Sequence, residues 1–221
     1  MKRVGFGCLA LLALAGVPSL AAAAGWTVSV VGGASVPAGD FADEKKANAQ
    51  TGWAIGGSGE YVWNDMWSIG VDGSWNQNSS AAEGETVAIS GGSLKLDQDT
   101  FKTWQVGAHA KYFFQLGWQT PVKWYGVMGA GLYGFTESRT EITTLGASTT
   151  TRSSDTHDKR AGIQLGLGGT WWANPKVGID GGVGYHVAFL DKDQSSASSL
   201  QYASVHAGVT FKIPAASSAN D

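Results

Sequence analysis

The sequence predicts an all-β fold, an eight-stranded antiparallel up-and-down barrel, and three observations predict it. Eight segments alternate apolar and polar residues with period two, the spacing of a strand that is dry on one face and wet on the other. The connections between them are by turns long and polar or short, as in a meander of hairpins. The composition suits one large strand-rich domain: 32 glycines, 10 tryptophans and only 15% charged residues in 221, unlike a disordered chain or a helical enzyme.

The chain opens with a segment that reads as a secretory signal, residues 1–24. Lys2 and Arg3 supply the positive start, Val4 to Val17 the apolar stretch, and Ala21 to Ala24 the small residues that permit cleavage before Gly25 or nearby. No later apolar run is long enough for a transmembrane helix. Loss of the leader takes two of the 15 bases and none of the 18 acids, so the mature chain is acidic and unsuited to nucleic acid. Cys8, the single cysteine, lies inside the leader, too early for a lipid-attachment cysteine. The mature protein is expected to have no thiol, disulfide or cysteine metal site.

The barrel is expected to span residues 25–213, followed by a short polar tail, 214–221. The first strand, Trp26 to Val36, sets Trp26, Val28, Val30, Gly32, Ala34 and Val36 against Thr27, Ser29 and Ser35. A polar loop from Pro37 to Gln50 leads to a hairpin, Thr51 to Trp75, with one row of Trp53, Ile55, Gly57, Gly59, Tyr61 and Trp63 and another of Trp67, Ile69, Val71, Gly73 and Trp75. Its turn is Asn64-Asp65, good tight-turn chemistry. A Ser/Gly/Asp-rich loop from Asn78 to Thr100 precedes the fourth strand, where Trp104, Val106, Ala108, Ala110, Tyr112 and Phe114 oppose Gln105, His109 and Lys111.

After a connection near Leu116 to Pro121, the fifth strand, Lys123 to Phe135, has two apolar rows. The row of Tyr125, Val127, Gly129, Gly131, Tyr133 and Phe135 is expected to face outward, because its aromatics sit at both ends. A Thr/Ser tract, Thr136 to Asp158, reads as a third long loop. The sixth strand, Arg160 to Trp171, is closed by the turn Ala173-Asn174-Pro175-Lys176; the seventh runs from Val177 to Phe189. A loop near Asp191 to Ser199 precedes the eighth strand, which ends at Ile213.

The polar rows decide which face looks outward. They carry Ser, Thr, Gln and Gly with few ions, whereas a soluble surface is dense in Lys and Glu. Trp26, Trp53, Trp63, Trp67, Trp75, Trp104 and Trp171 lie near strand ends as an aromatic girdle. Trp53 to Trp63 spans roughly 33 Å of strand, or about 25 Å along the axis of a tilted barrel, the height of an outer-membrane apolar band. The apolar rows hold no ionised side chain, where an Arg or Lys at the midplane would cost roughly 2 to 4 kcal/mol. The fold is therefore read as an eight-stranded transmembrane β-barrel after a cleaved signal peptide. Closure gives every backbone group a partner. The polar rows become a lumen network of Glu60, Asp72, His109, Lys111, Arg160, Gln164, Asp180, His186, His206 and Lys212, with three acids facing three Lys and Arg. Buried charges of this kind need pairing or hydration. Alternation of short and long connections places the termini in the periplasm and the long loops outside the cell.

The final strand resembles the C-terminal assembly signal of small outer-membrane barrels: a polar residue, a glycine and two hydrophobics, here His206, Gly208, Phe211 and Ile213. The mature chain as a whole resembles the group comprising the OmpA transmembrane domain, OmpX/Ail and OmpW-like porin-family barrels of Gram-negative bacteria. The chain departs from the group by continuing to Asp221 after that signal. The resemblance implies an outer-membrane address, contact with outer-membrane lipid and lipopolysaccharide, handling by the barrel-assembly machinery, and a monomer. Its members include adhesins, narrow channels and structural proteins.

Other motifs fail tests of context. Gly129-Ala-Gly131-Leu-Tyr-Gly134 matches GxGxxG but sits in a strand with no helix after it. Ser153 to Asp158 contains the residue types of a hydrolase triad, but neighbours in sequence do not converge as a triad must. Lipid-A-modifying barrels carry His-x-Ser, whereas His109, His186 and His206 are followed two residues on by Lys111, Ala188 and Gly208. These histidines lie on strands not all adjacent, which opposes a metal site. Asp97/Asp99 and Asp191/Asp193 read as solvated loop acids. No catalytic residue, cofactor or metal is expected. The expected role is a structural or surface-interaction barrel presenting four extracellular loops to an unidentified ligand. A narrow OmpW-like channel for small apolar molecules or ions is the alternative, and a lipid-A-modifying enzyme a remoter one.

Overall fold

The structure, a computed structural model, describes residues 25–44, 47–81, 84–114, 121–189 and 199–213. The leader with Cys8, the tail at 214–221, most of the Leu116 to Pro121 connection and most of the Asp191 to Ser199 loop lie outside the described residues. Among the described residues there are nine strands: β1 (Gly25–Ala38), β2 (Gly52–Val62), β3 (Trp67–Ser79), β4 (Thr86–Ile89), β5 (Gly92–Phe113), β6 (Val122–Leu145), β7 (Ser148–Trp172), β8 (Val177–Phe189) and β9 (Ser199–Ile213). Eight of them form a ring. Each is antiparallel to its neighbours, β9 closes on β1, and β3 pairs directly with β5. The short β4 stands outside the ring, paired to β5.

Register shows how the ring closes. Starting at Trp26 and stepping to the partner on each next strand, the path runs through Tyr61, Ile69, Ala110, Met128, Leu165, Tyr185 and Ala203, and returns to β1 at Val36. A displacement of ten residues around eight strands means steeply tilted strands, since stagger and tilt are linked in a closed sheet. Every residue on this path is apolar and faces outward. The small hydrogen-bonding groups lie on the other side: Thr27, Ser29, Ser68, Asn76, Gln105 and Thr170 are buried. This polarity is the inverse of a soluble barrel, and it leaves Val30, Ile55, Val71, Val106, Leu165 and Val183 exposed on the outer wall.

One end of the barrel has tight turns. Asn64 Oδ1 accepts from the backbone N–H of Met66 and Trp67 at 2.9 and 2.8 Å, and Asn174 Oδ1 accepts from those of Lys176 and Val177, both at 2.9 Å. The same side-chain turn thus closes both hairpins, because Asn mimics a backbone acceptor at the first position. Gly25 and Ile213 lie at this turn end. At the opposite, hairpin end, strands continue well past the apolar band.

Two expectations are corrected. The first concerns the fifth ring strand, β6, whose outward row is Trp124, Gly126, Met128, Ala130 and Leu132. Met128 and Leu132 are each 60% exposed, whereas Tyr125, Tyr133 and Phe135 are buried at 3%, 2% and 5%. The tyrosines turn inward because their hydroxyls find polar partners there: Tyr125 Oη–H donates to Asp180 Oδ1 at 2.9 Å, and Tyr133 Oη lies 3.2 Å from His186 Nδ1. A phenol in hydrocarbon would leave that group unsatisfied.

The second concerns the loops expected at Asn78 to Thr100 and Thr136 to Asp158. Much of the first and nearly all of the second are strand. β6 and β7 stay paired for ten further residues, from Thr136 opposite His157 to Leu145 opposite Ser148. β-branched Thr favours the pleated backbone, and hydroxyl pairs cross the ladder at Thr140–Ser153 (3.2 Å) and Thr144–Thr149 (3.5 Å). Gly146 makes the turn with φ +57°, a left-handed conformation that glycine takes without Cβ strain.

Candidate functional site

The inward side chains form three successive layers. Nearest the turn end, Asp180 accepts from Tyr125 Oη (2.9 Å) and from Thr170 Oγ1 (2.7 Å), with His206 Nε2 3.7 Å away. Lys212 sits at the rim with Nζ 4.0 Å from the ring centroid of inward-facing Trp172.

The middle layer contains a bridged pair of carboxylates. Lys111 Nζ donates to Glu60 Oε1 at 2.6 Å, and Ser58 and Ser68 hydroxyls donate to the same carboxylate at 3.0 and 3.1 Å. His109 lies between Glu60 and Asp72, with Nε2 3.5 Å from Glu60 and Nδ1 2.8 Å from Asp72. Asp72 also accepts from Gln105 Nε2 (2.7 Å) and Gln164 Nε2 (3.0 Å). Strands β2, β3, β5 and β7 each contribute, so the layer spans the lumen. The dense bonding is what two carboxylates out of water require.

The third layer, at the hairpin end, is apolar. A single 3-10 turn, Gly39–Phe41, follows β1 and puts Phe41 into the mouth. Its ring meets Phe101 at 5.4 Å and Phe135 at 6.0 Å, both edge-on, while Phe101 and Phe135 stack at 5.9 Å. Beneath it, Tyr202 stacks on His186 at 4.5 Å, and His186 Nε2 lies 3.1 Å from Ser204 Oγ. A cavity of about 140 Å³ runs alongside these layers, bordered by Asp180 and His206 toward the turn end, Asp72 and Lys111 at the middle, and Asn76 and Tyr202 beneath the apolar mouth.

The lumen residues expected from sequence therefore separate into groups. Glu60, Asp72, His109, Lys111 and Gln164 come together. Asp180 and His206 form a second group, and His186 joins Tyr133 and Ser204. The acids and bases do not match one for one as their equal numbers suggested. Arg160 Nε lies 3.2 Å from Asp158, nearer the hairpin end, and Lys212 is at the rim. The ring's stagger sets these groupings, because it decides which polar residues share a level. Gln105 and Tyr202 were not singled out by sequence, although each shares a row with a lumen histidine, His109 on β5 and His206 on β9; Tyr125 lies on β6, where both rows are apolar and no such signal exists.

Among the described residues no group of three His, Cys, Asp or Glu side chains is placed to hold a metal ion. Asp97 is held by Lys95 Nζ at 2.6 Å, while Asp191 and Asp193 lie outside the described residues. Ser153 to Asp158 runs along β7, where His157 Nδ1 meets Thr136 Oγ1 at 3.0 Å. The GxGxxG residues Gly129, Gly131 and Gly134 lie within β6.

On the outer wall two aromatic borders enclose the apolar band. Trp26, Trp63, Trp67, Trp124 and Trp171 lie toward the turn end, with Trp67 against Tyr112 at 4.9 Å and Trp26 against Tyr61 at 5.3 Å. Trp124 belongs to this border because of the corrected face of β6. Trp53, Trp75 and Trp104 lie toward the hairpin end, Trp75 and Trp104 directly opposite each other. The sequence model described as "Outer membrane protein beta-barrel domain" matches residues 7–169. The chain belongs to that family.

Members of this family are outer-membrane barrels, and several solved structures of outer-membrane proteins are similar to this chain. A major outer membrane protein from Thermus thermophilus is 14% identical over 87% of this chain and 100% of its own, with a TM-score of 0.57. The outer membrane protein OprG from Pseudomonas aeruginosa is 12% identical over 86% of this chain and 96% of its own, with a TM-score of 0.52. Neisserial surface protein A is 18% identical over 87% and 100%, with a TM-score of 0.49. No curated protein sequence matches the chain. The residues resembling the family's assembly signal lie on β9: Phe211 and Ile213 are exposed on the outer wall, and His206 and Gly208 belong to the inward row.

Proposed function

We propose that this outer-membrane barrel is a closed scaffold with a structural or surface-interaction role, its hairpin end outside the cell and its termini in the periplasm. The observation that carries this reading is the occluded interior. Trp172 and Lys212 stand at one rim, the Glu60–Lys111–His109–Asp72 layer crosses the middle, and Phe41, Phe101 and Phe135 fill the other mouth. A conduit would need a continuous wet path through all three. The hairpin end supports the second half of the reading. There β4 to β7 form a Ser/Thr-rich sheet beyond the apolar band, a surface for an extracellular ligand still to be found.

Conductance in planar bilayers tests it. The refolded protein is expected to give no steady current at neutral pH. Long-lived, voltage-driven unit steps would overturn the closed reading in favour of a narrow OmpW-like channel.

A further inference from the structure

The charged layer does not fill the cross-section of the barrel. Its side chains reach inward from β2, β3, β5 and β7, whereas the inward positions Ser29, Gly33, Ala54 and Gly56 on β1 and β2 carry little or no side chain and leave a gap. The cavity of about 140 Å³ runs through that gap, from Asp180 and His206 at one end to Asn76 and Tyr202 at the other. Asn76 Nδ2 and Tyr202 Oη have no hydrogen-bond partner among the described residues, so polar atoms face the cavity right up to the apolar mouth. Buried groups of this kind are met by water.

The barrier between this cavity and the hairpin end is aromatic. Phe41, Phe101 and Phe135 are all buried there, but they are not held alike. Phe101 is laddered between Asn78 and Glu137, and Phe135 between Thr103 and Asp158, so neither ring can leave without opening the wall. Phe41 stands instead on the 3-10 turn Gly39–Phe41, outside the ring ladders. That turn is fixed by two backbone bonds, Ala42 N–H to Gly39 O and Ala49 N–H to Phe41 O, both 3.1 Å, and Ala38 gives it no side-chain cap. It starts at Gly39 with φ +53°, in a region that glycine enters and leaves at little cost. A glycine at the end of an element is a place where the backbone can absorb a large change.

We propose that the Phe41 turn is a removable stopper, and that withdrawing this one ring opens a path for small ions past Tyr202 and Asn76 and along the gap beside Ser29 and Gly56. The aromatic mouth is then the seal of the lumen. The Glu60–Lys111–His109–Asp72 layer holds the strands together and borders the path without closing it. The inference rests on the closed-scaffold reading above, and it names the part of the interior that does the closing.

The test compares unit currents in potassium chloride across planar bilayers for the refolded mature chain and three variants, with unboiled gel migration checking that each is folded. Phe41→Ala is expected to give unit steps. Phe41→Leu, which keeps apolar bulk on the turn, and the double variant E60Q/K111M, which discharges the middle layer under an intact mouth, are expected to stay silent. The route is checked with Ser29→Cys: its thiol should react with a small methanethiosulfonate reagent when combined with Phe41→Ala but not alone, and the reaction should cut the current. Silence of folded Phe41→Ala, current from E60Q/K111M equal to that of Phe41→Ala, or a current that modification at residue 29 leaves unchanged overturns the proposal. Steady current from the unaltered chain overturns the closed-scaffold reading along with it, whereas silence of the unaltered chain and of Phe41→Ala alike removes the stopper and leaves that reading standing.

Discussion

Glu60 and Lys111 show how single residues hold the interior. Glu60 is 3% exposed and its strongest contact is the 2.6 Å bond from Lys111. Removing one partner of a buried pair leaves a charge without compensation, which costs about 3 to 5 kcal/mol, while removing both costs much less. Lys111→Met is therefore expected to lower the urea-unfolding midpoint strongly, and Glu60→Gln combined with it to recover most of the loss; a double-mutant cycle in micelles measures this. A second residue-scale expectation concerns Glu137, on β6 beyond the apolar band. Burial and the neighbouring charge of Asp99 push its carboxyl above the usual range, offset in part by Arg139. Its folded-state pKa thus exceeds the unfolded one, so the fold is penalised as pH rises through that window and is not penalised below it. Glu137→Gln should raise the unfolding midpoint at about pH 8 and leave it unchanged at about pH 3.

At the scale of elements, β6 is the strand whose orientation matters most. Its two apolar rows differ little in hydropathy, but they meet different neighbours. Met128 lies between Ala110 and Leu165 on the outer wall, whereas Tyr125 and Tyr133 reach Asp180 and His186 inside. Met128→Arg is expected to cost roughly 2 to 4 kcal/mol, as for a cation near the bilayer midplane, with little cost for Thr136→Arg outside the band. Equal effects in unfolding titrations from lipid vesicles would show that this face of β6 does not meet lipid. The long β6–β7 hairpin follows a different logic. Its Ser and Thr side chains stabilise the pleat and each other, so it needs neither lipid nor a core on its faces.

For the whole molecule, closure makes one wall serve two solvents. The ring satisfies its backbone internally, the outer wall presents hydrocarbon to hydrocarbon, and the interior gathers the polar groups that neither could accept. The shear of ten residues then brings β2, β3, β5 and β7 to one level, so that four strands share one charged layer. The extension of β5, β6 and β7 gives the molecule a polar end, and its orientation is testable. On intact cells, added protease should cut within 143–150 at the hairpin tip and spare the Asn174 turn; the reverse pattern would place the hairpin end in the periplasm.

Much of this was legible in the amino-acid sequence because its signals are local. Period-two alternation identified seven outward rows, tight-turn asparagines marked both short hairpins, and Trp residues at strand ends marked the membrane borders. Alternation is silent where both rows are apolar, as in β6, and a polar Thr tract does not reveal whether it is loop or exposed ladder. Partner choice inside the lumen was equally hidden. Sequence supplied Glu60, Asp72, Asp180, Lys111, Arg160 and Lys212, but the ring's stagger sent Lys111 to Glu60, Arg160 to Asp158 and Lys212 to the rim. Sequence by itself determined an inside-out barrel, since the pattern of polarity along each strand is written residue by residue. Only tertiary structure decided which groups meet across it, because register and shear arise when the ring closes and all eight strands satisfy their neighbours together.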